Sequence, residues 1–224
     1  MILLEDVHLV LDGPTGMVNI LKGMDLHISP GETTSVVGPS GSGKTSMMMI
    51  IAGLEKATSG KVEVNGQDLS KLGEDGLAIF RRENVGIIFQ NFHLIPTMSA
   101  LENVAVPAEI AGAEDAFERA RASLESVGLK HRIEHYPGQL SGGEQQRVAL
   151  ARAFSSGAKI LLADEPTGNL DQETGSMIID LLFNLSSEHN TSLVLITHDP
   201  QIAAKSDRQI SLRDGQIVYD SSSP

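Results

Sequence analysis

Short, nearly continuous apolar runs alternate along this chain with stretches of helical periodicity. Residues 2–10 and 17–28 read as strands separated by the turn-rich Asp12-Gly13-Pro14-Thr15-Gly16. Ser29-Pro30-Gly31-Glu32 marks a second turn, after which residues 34–37 form a buried strand, a glycine-rich loop follows, and residues 46–52 continue as a helix. Residues 61–64 alternate and end in Asn65-Gly66, a dipeptide suited to a tight hairpin because both residues tolerate positive φ. The run 85–89 is another buried strand, closed by Gln90. From 99 to 112 and from 114 to 127 the pattern turns helical; Ser99 with Glu102 fits a capping box, and Gly128 fits a C-terminal stop. A helix follows Ser141-Gly142-Gly143-Glu144 and runs to about residue 154, residues 160–163 form a strand delivering Asp164 and Glu165, residues 173–188 form a helix, and residues 193–197 form a strand delivering His198.

Continuous apolar strands separated by helices predict an α/β fold, a parallel sheet covered on both faces, with a strand-rich first third and a helical insertion between two strands. Ligands of such sheets gather at the carboxyl ends of strands, where Gly38, Gln90, Asp164, Glu165 and His198 all fall. The last residues, 221–224, read as a frayed tail.

Composition narrows the classes. At 224 residues with 41% apolar content the chain can bury one sizeable core. Its longest apolar run, 47–54 with Gly53 inside it, is too short to span a bilayer, and no basic and apolar leader opens the sequence, which points to the cytoplasm. With no cysteine, disulfides, thiol catalysis and cysteine-ligated metals are excluded. A net charge of −12 argues against long-range attraction to nucleic acid or anionic lipid, so any membrane attachment is expected to run through another protein.

The candidate chemistry centres on residues 36–48, where Gly38, Gly43, Lys44 and Thr45 fill the pattern G-x-x-x-x-G-K-[ST] between a strand and a helix. Backbone N–H groups of such a loop, with the first-turn donors of the helix behind it, form a concave anion site. Lys44 supplies a point charge for β- and γ-phosphates, and the Thr45 hydroxyl is placed to ligate Mg²⁺. Asp164 at a strand end can share that cation, although paired acids after a strand also serve simply to end it and cap the next turn. Glu165 is the candidate base for an attacking water. His198 is a candidate contact of the γ-phosphate or its water, and Gln90 a candidate for Mg²⁺ or water, each weighed against a purely structural role. Ser141 and Glu144 satisfy a capping box, but that cap does not explain two adjacent glycines, each costing about 1 kcal/mol relative to alanine. Bare backbone at a helix start suits close approach to an anion, and a second such end in one chain points to a second subunit.

Taken together, these residues make the chain resemble the ATP-binding subunit of an ABC transporter over essentially its full length. GPSGSGKT is similar to the Walker A loop, Gln90 to the Q-loop glutamine, Leu140 to Glu144 to the signature motif, and Ile160 to Asp164 to Walker B, with Glu165 as catalytic glutamate. Asn169-Leu170-Asp171 resembles the D-loop and His198 the switch histidine. The stretches 87–107, LSGGEQQRVALARAF and ADEPTGNLD resemble the lipoprotein-release and macrolide-export group, its YbbA-like members above all. The resemblance implies a P-loop NTPase fold: a RecA-like parallel core with an N-terminal antiparallel β subdomain and an inserted α-helical subdomain, residues 1–90 and 158–224 forming the former parts and 91–157 the latter.

It further implies an ATPase using ATP and Mg²⁺. Gly38, Pro39, Ser40, Gly41, Ser42, Gly43, Lys44, Thr45 and Ser46 would hold the nucleotide, with Ser141, Gly142 and Gly143 sealing it from a second copy. Thr45, Gln90 and Asp164 would serve the metal. An FtsX-like permease is the implied membrane partner, its cytoplasmic helix docking near Asn91 to Pro96, with the subunit peripheral on the inner face of the cell membrane. Two departures stand out. Many relatives stack adenine on an aromatic near position 11, yet no aromatic precedes Phe80, so adenine is expected on aliphatic Leu11 and Val18 with weak base selectivity. Thr45-Ser46 replaces the commoner Ser-Thr with both hydroxyls retained.

Overall fold

The computed structural model describes residues 1–13 and 16–222; Pro14 and Thr15 of the expected first turn, and Ser223 and Pro224 of the expected tail, lie outside the described residues. The chain divides into two compact units, Met1–Arg81 with Ser192–Pro224, and Arg82–Thr191.

The first unit opens with β1 (Ile2–Gly13) and β2 (Gly16–Ile28), paired antiparallel with Ile2 facing Ile28 and Leu11 facing Val18. Alternation buries Ile2 and Leu4, and a bulge between Leu4 and Val7, where Asp6 has φ 49°, shifts the phase by one residue so that Val7 and Leu9 are buried as well. Next come β3 (Thr33–Val37), α1 (Lys44–Ile51), β4 (Ser59–Val64) and β5 (Gln67–Asp68), giving an antiparallel sheet in the order β2-β1-β4-β5. The hairpin expected at Asn65-Gly66 is present, with φ of 51° and 77° and Val64 facing Gln67. The sequence reading passed over α2 (Glu74–Asn84), whose buried Leu77 and Phe80 stand three apart in an otherwise polar stretch.

The second unit holds β6 (Val85–Phe89), α3 (Ala100–Ile110), α4 (Ala116–Ser126), α5 (Gly142–Ser155), β7 (Ile160–Asp164) and α6 (Gln172–Glu188). Strands β6 and β7 run parallel, with Phe89 facing Asp164. Helix α3 starts on the expected Ser99–Glu102 capping box, and Gly128, at φ 74°, follows the end of α4. Helix α5 packs on β6, α3, α4 and α6 through the buried Val148, Ala149, Leu150 and Ala151.

The chain then completes the first unit with β8 (Ser192–Ile196), α7 (Pro200–Ala203), β9 (Arg208–Arg213) and β10 (Gln216–Asp220). Both β8 and β9 flank β3 in parallel, so the expected parallel arrangement holds, while β10 lies antiparallel on β9. Burial is complete for Leu193 to Ile196, as continuous apolar runs covered on both faces require. Arg208 ties this part together: its guanidinium pairs with Asp220 and Glu32 and donates to the His27 carbonyl.

Candidate active site

In the first unit the chain leaves β3 at Val37 and turns into a loop whose backbone only glycine can hold at two points. Gly38 has φ 147°, and a Cβ there would meet the Leu212 carbonyl oxygen at 2.2 Å; Gly43 has φ 98°, with Leu21 at 2.7 Å from such a Cβ. The β9–β10 turn supports the loop from below, since Gly215 N–H donates to the Ser42 carbonyl at 3.1 Å. Helix α1 begins at Lys44 with no side-chain cap and no acidic residue in its first turn. Its leading N–H groups and dipole are therefore not capped by an acid of the helix's own first turn, the condition for holding phosphate. The Lys44 ammonium arches back over the loop to the carbonyls of Gly38 and Pro39, 2.9 Å from each. Among the described residues the buried Ser42 hydroxyl has no hydrogen-bond partner.

His198 belongs to the same unit. Strands β3 and β8 are in register at Val36 and Ile196, so Gly38 and His198, each two residues further on, leave one edge of adjacent parallel strands. On β1 and β2, Leu11 and Val18 face each other across the ladder and are 39% and 43% exposed, an aliphatic surface.

The second unit carries the acids. Phe89 and Asp164 are register partners, so Gln90 follows the residue opposite Asp164, and Glu165 comes next on the neighbouring strand. Glu165 has φ 47°, a left-handed conformation that costs a non-glycine residue of order 1 kcal/mol and recurs where a side chain is aimed for function. Gln90 Nε2 donates to Asn169 Oδ1 at 3.3 Å, and Asn169 Nδ2 donates to the Gln90 carbonyl at 3.0 Å and to Asn91 Oδ1 at 2.9 Å. A Cβ on Gly168 would strike Gln90 Nε2 at 2.7 Å, so a bare backbone here keeps room for the amide. Gln146 of α5, fully buried, donates to the Pro166 carbonyl at 2.6 Å, tying that helix to the segment after Glu165.

The start of α5 closes the expected capping box. Ser141 Oγ accepts from Glu144 N–H at 3.2 Å, and Glu144 accepts from Ser141 N–H at 2.8 Å and from Arg132 at 3.0 Å. The Ser141 N–H, opposed by partial burial and helped by the Ser141 side chain and Arg132, holds the Glu144 carboxyl below its ordinary range. Because the Ser141 oxygen only accepts in this box, its proton stays available to an outside acceptor. Asp171, the N-cap of α6, is held low foremost by the Thr174 N–H.

Three supporting groups escaped the sequence reading: the Leu212 and Gly215 backbone under the phosphate loop, Asn169 as the partner of Gln90, and Arg152, which reaches the segment after Gln90 from α5. The first left a signal in Asp214-Gly215, a dipeptide that closes tight hairpins, here with φ of 50° and 79°.

An uncapped helix opened by a glycine loop and a lysine, in a chain with acid-bearing parallel strands, defines the P-loop ATPase class. Residues 21–168 match the ABC transporter family, and the chain belongs to that family. It is 52% identical over 202 residues to YbbA of Escherichia coli K12, an uncharacterised ABC transporter ATP-binding protein, covering 89% of each chain. It is 46% identical over 217 residues to the macrolide export ATP-binding/permease protein MacB of Shigella flexneri, covering 96% of this chain and 33% of MacB. Two dimeric structures of the ATP-binding cassette MJ0796, one in a post-hydrolysis state bound to ADP and Pi, superpose with a TM-score of 0.90 at 39–40% identity, over 99% of this chain and 98% of theirs. The chain is thus an ATP-binding subunit of an ABC transporter, an ATPase that uses ATP and Mg²⁺. Among the described residues no helix is long and apolar enough to cross a membrane.

Proposed function

We propose that two copies of this chain close head to tail around two Mg·ATP and, on hydrolysis, reopen to drive an FtsX-like permease of the export or lipid-extraction type. The observation that carries this reading is the pair of anion-seeking helix starts in one chain, the open glycine loop at α1 and the Ser141-Gly142-Gly143 start of α5. The dimeric MJ0796 structures and the fused ATP-binding/permease organisation of MacB support it.

Residues 38–46 grip the triphosphate: loop N–H groups receive its oxygens, and Lys44 exchanges its two carbonyl partners for phosphate. The metal, when bound, neutralises developing charge on the phosphates. The donor set for it is hard oxygen, the Thr45 hydroxyl, the Asp164 carboxylate and the Gln90 amide oxygen, which is the end left over once Nε2 is committed to Asn169. Glu165 accepts the proton of the attacking water, and His198 contacts the γ-phosphate. From the second copy, the Ser141 hydroxyl and the N–H groups of Gly142 and Gly143 seal the γ-phosphate. Bound ATP then favours the closed pair, and cleavage removes that bias. Adenine rests on Leu11 and Val18. The permease docks on residues 91–96, within the helical part at 91–157, and holds the subunit on the inner face of the cell membrane.

Isolation from membranes in mild detergent tests the assignment. An FtsX-like permease is expected to co-purify and to raise ATP turnover; recovery on ribosomes or nucleic acid with no membrane protein would contradict it.

A further inference from the structure

The segment after β6 carries both the proposed metal-facing amide, Gln90, and the proposed docking residues 91–96, so its path matters to the reaction. Asn103 of α3 holds its far end at Ile95, and two side chains hold the residues next to Gln90. Asn169 takes the Gln90 carbonyl and the Asn91 side chain, and Arg152 of α5 takes the next two residues: Nη2 donates to the Phe92 carbonyl at 2.9 Å and Nη1 to the His93 carbonyl at 2.7 Å. His93 is left-handed at φ 49° and sets its ring edge-on to Phe89, centroids 5.0 Å apart, so the loop is bent into a conformation that the chain alone disfavours.

Arg152 is an unusual choice for a packing residue. Burial pushes its pKa below the ordinary arginine value, and no carboxylate among the described residues offsets that cost. A charge desolvated for main-chain carbonyls alone is an expensive way to hold a helix against a loop, whereas a neutral side chain would pack there more cheaply. What the guanidinium adds is geometry: a planar fork with two donors fixes two successive carbonyls at once. The same helix begins at Ser141, so the element proposed to touch the second copy's triphosphate is bonded directly to the residues that follow Gln90.

We propose that Arg152 is a positioning residue that sets Gln90 from α5, so that engagement of the helix start is felt at the amide serving the chain's own nucleotide. This rests on the roles assigned above to Gln90 and to Ser141. A structural tie would contribute to stability only; a positioning tie acts on turnover through Gln90.

A double-mutant cycle on the full chain separates the two. Turnover is measured for the unaltered chain, Arg152→Ala, Gln90→Ala and the double variant, with thermal melts of each and Lys44→Ala alongside. Arg152→Ala is expected to lower kcat about tenfold with KM for ATP changed less than twofold, since an ångström-scale misplacement commonly costs that much or more. The double variant is expected to fall no lower than Gln90→Ala alone, because two substitutions acting through one group do not multiply. Arg152→Lys, keeping a donor for at least one carbonyl, is expected to recover part of the loss, and it replaces alanine in the cycle if Arg152→Ala does not fold. Losses that multiply in the double variant, or an unchanged kcat in folded Arg152→Ala, would overturn the proposal. Full turnover by Lys44→Ala would instead defeat the reading of the phosphate loop itself.

Discussion

Helices α1 and α5 both have glycine at their starts, Gly43 as the cap of the one and Gly142 as the first residue of the other, and they begin in opposite ways. The start of α1 has no side-chain cap and no acid in its first turn, so its own residues do not close it. The start of α5 is closed by its own residues, with Ser141 and Glu144 in a reciprocal box. The first is a receptor whose own first turn supplies no anion. The second is rigid beforehand and offers only what the box leaves over, a hydroxyl proton and the N–H groups of its glycines. The contrast fits a site in which one end binds nucleotide in the single chain and the other closes on nucleotide already bound.

The largest expected effect strikes the first end. Lys44→Ala removes the ammonium that arches over the loop, and ATP turnover is expected to fall by at least about 100-fold, with nucleotide binding lost in parallel, as for removal of other preorganised charge stabilisers. Ser141 sharpens the comparison, because its two roles can be separated. Aspartate caps a helix as well as serine does, so Ser141→Asp is expected to keep the melting temperature while turnover falls about 100-fold through repulsion of the triphosphate. Ser141→Ala is expected to lose about 1 kcal/mol of stability and to retain more activity than Ser141→Asp. If aspartate proves the more active of the two, the start of α5 is a cap and nothing else.

Smaller effects follow from the box itself. Glu144 titrates below its ordinary value of 4.5 in the folded chain, so its contribution is fully present above that value and is lost as pH falls through the lowered one. The melting-temperature gap between the unaltered chain and Glu144→Gln is expected to hold from neutral pH to about 5 and to shrink below 4.5. The smallest effect concerns the base. With aliphatic Leu11 and Val18 in place of an aromatic face, ATP and GTP are expected to bind within about tenfold of each other. A much larger ATP preference in competition binding would place adenine elsewhere.

The sequence pattern showed the parallel strands, both capped helix starts at Ser99 and Ser141 and the Asn65-Gly66 hairpin, because each leaves a local mark: continuous apolar residues, a serine three before a glutamate, a dipeptide that tolerates positive φ. Helix α2 left too weak a mark, two inward residues among charges. Strands β9 and β10 carried readable signals, the alternation of Ile210 and Leu212 and the Asp214-Gly215 turn, and their consequence lies in the tertiary fold: only there does the Leu212 carbonyl prove to be what forbids a Cβ at residue 38. The candidate residues themselves were legible as motifs. Their supports were not, since nothing local marks Asn169 as the partner of Gln90 or Arg152 as a fork beneath Phe92 and His93.

The mass of Glu165→Gln in solution tests the sandwich most directly. With the base removed, Mg·ATP is held uncleaved, and light scattering is expected to give twice the 23.9 kDa chain mass with ATP and the single mass without it or with Ser141→Asp added. A single chain mass at saturating ATP, with nucleotide demonstrably bound, would contradict the account.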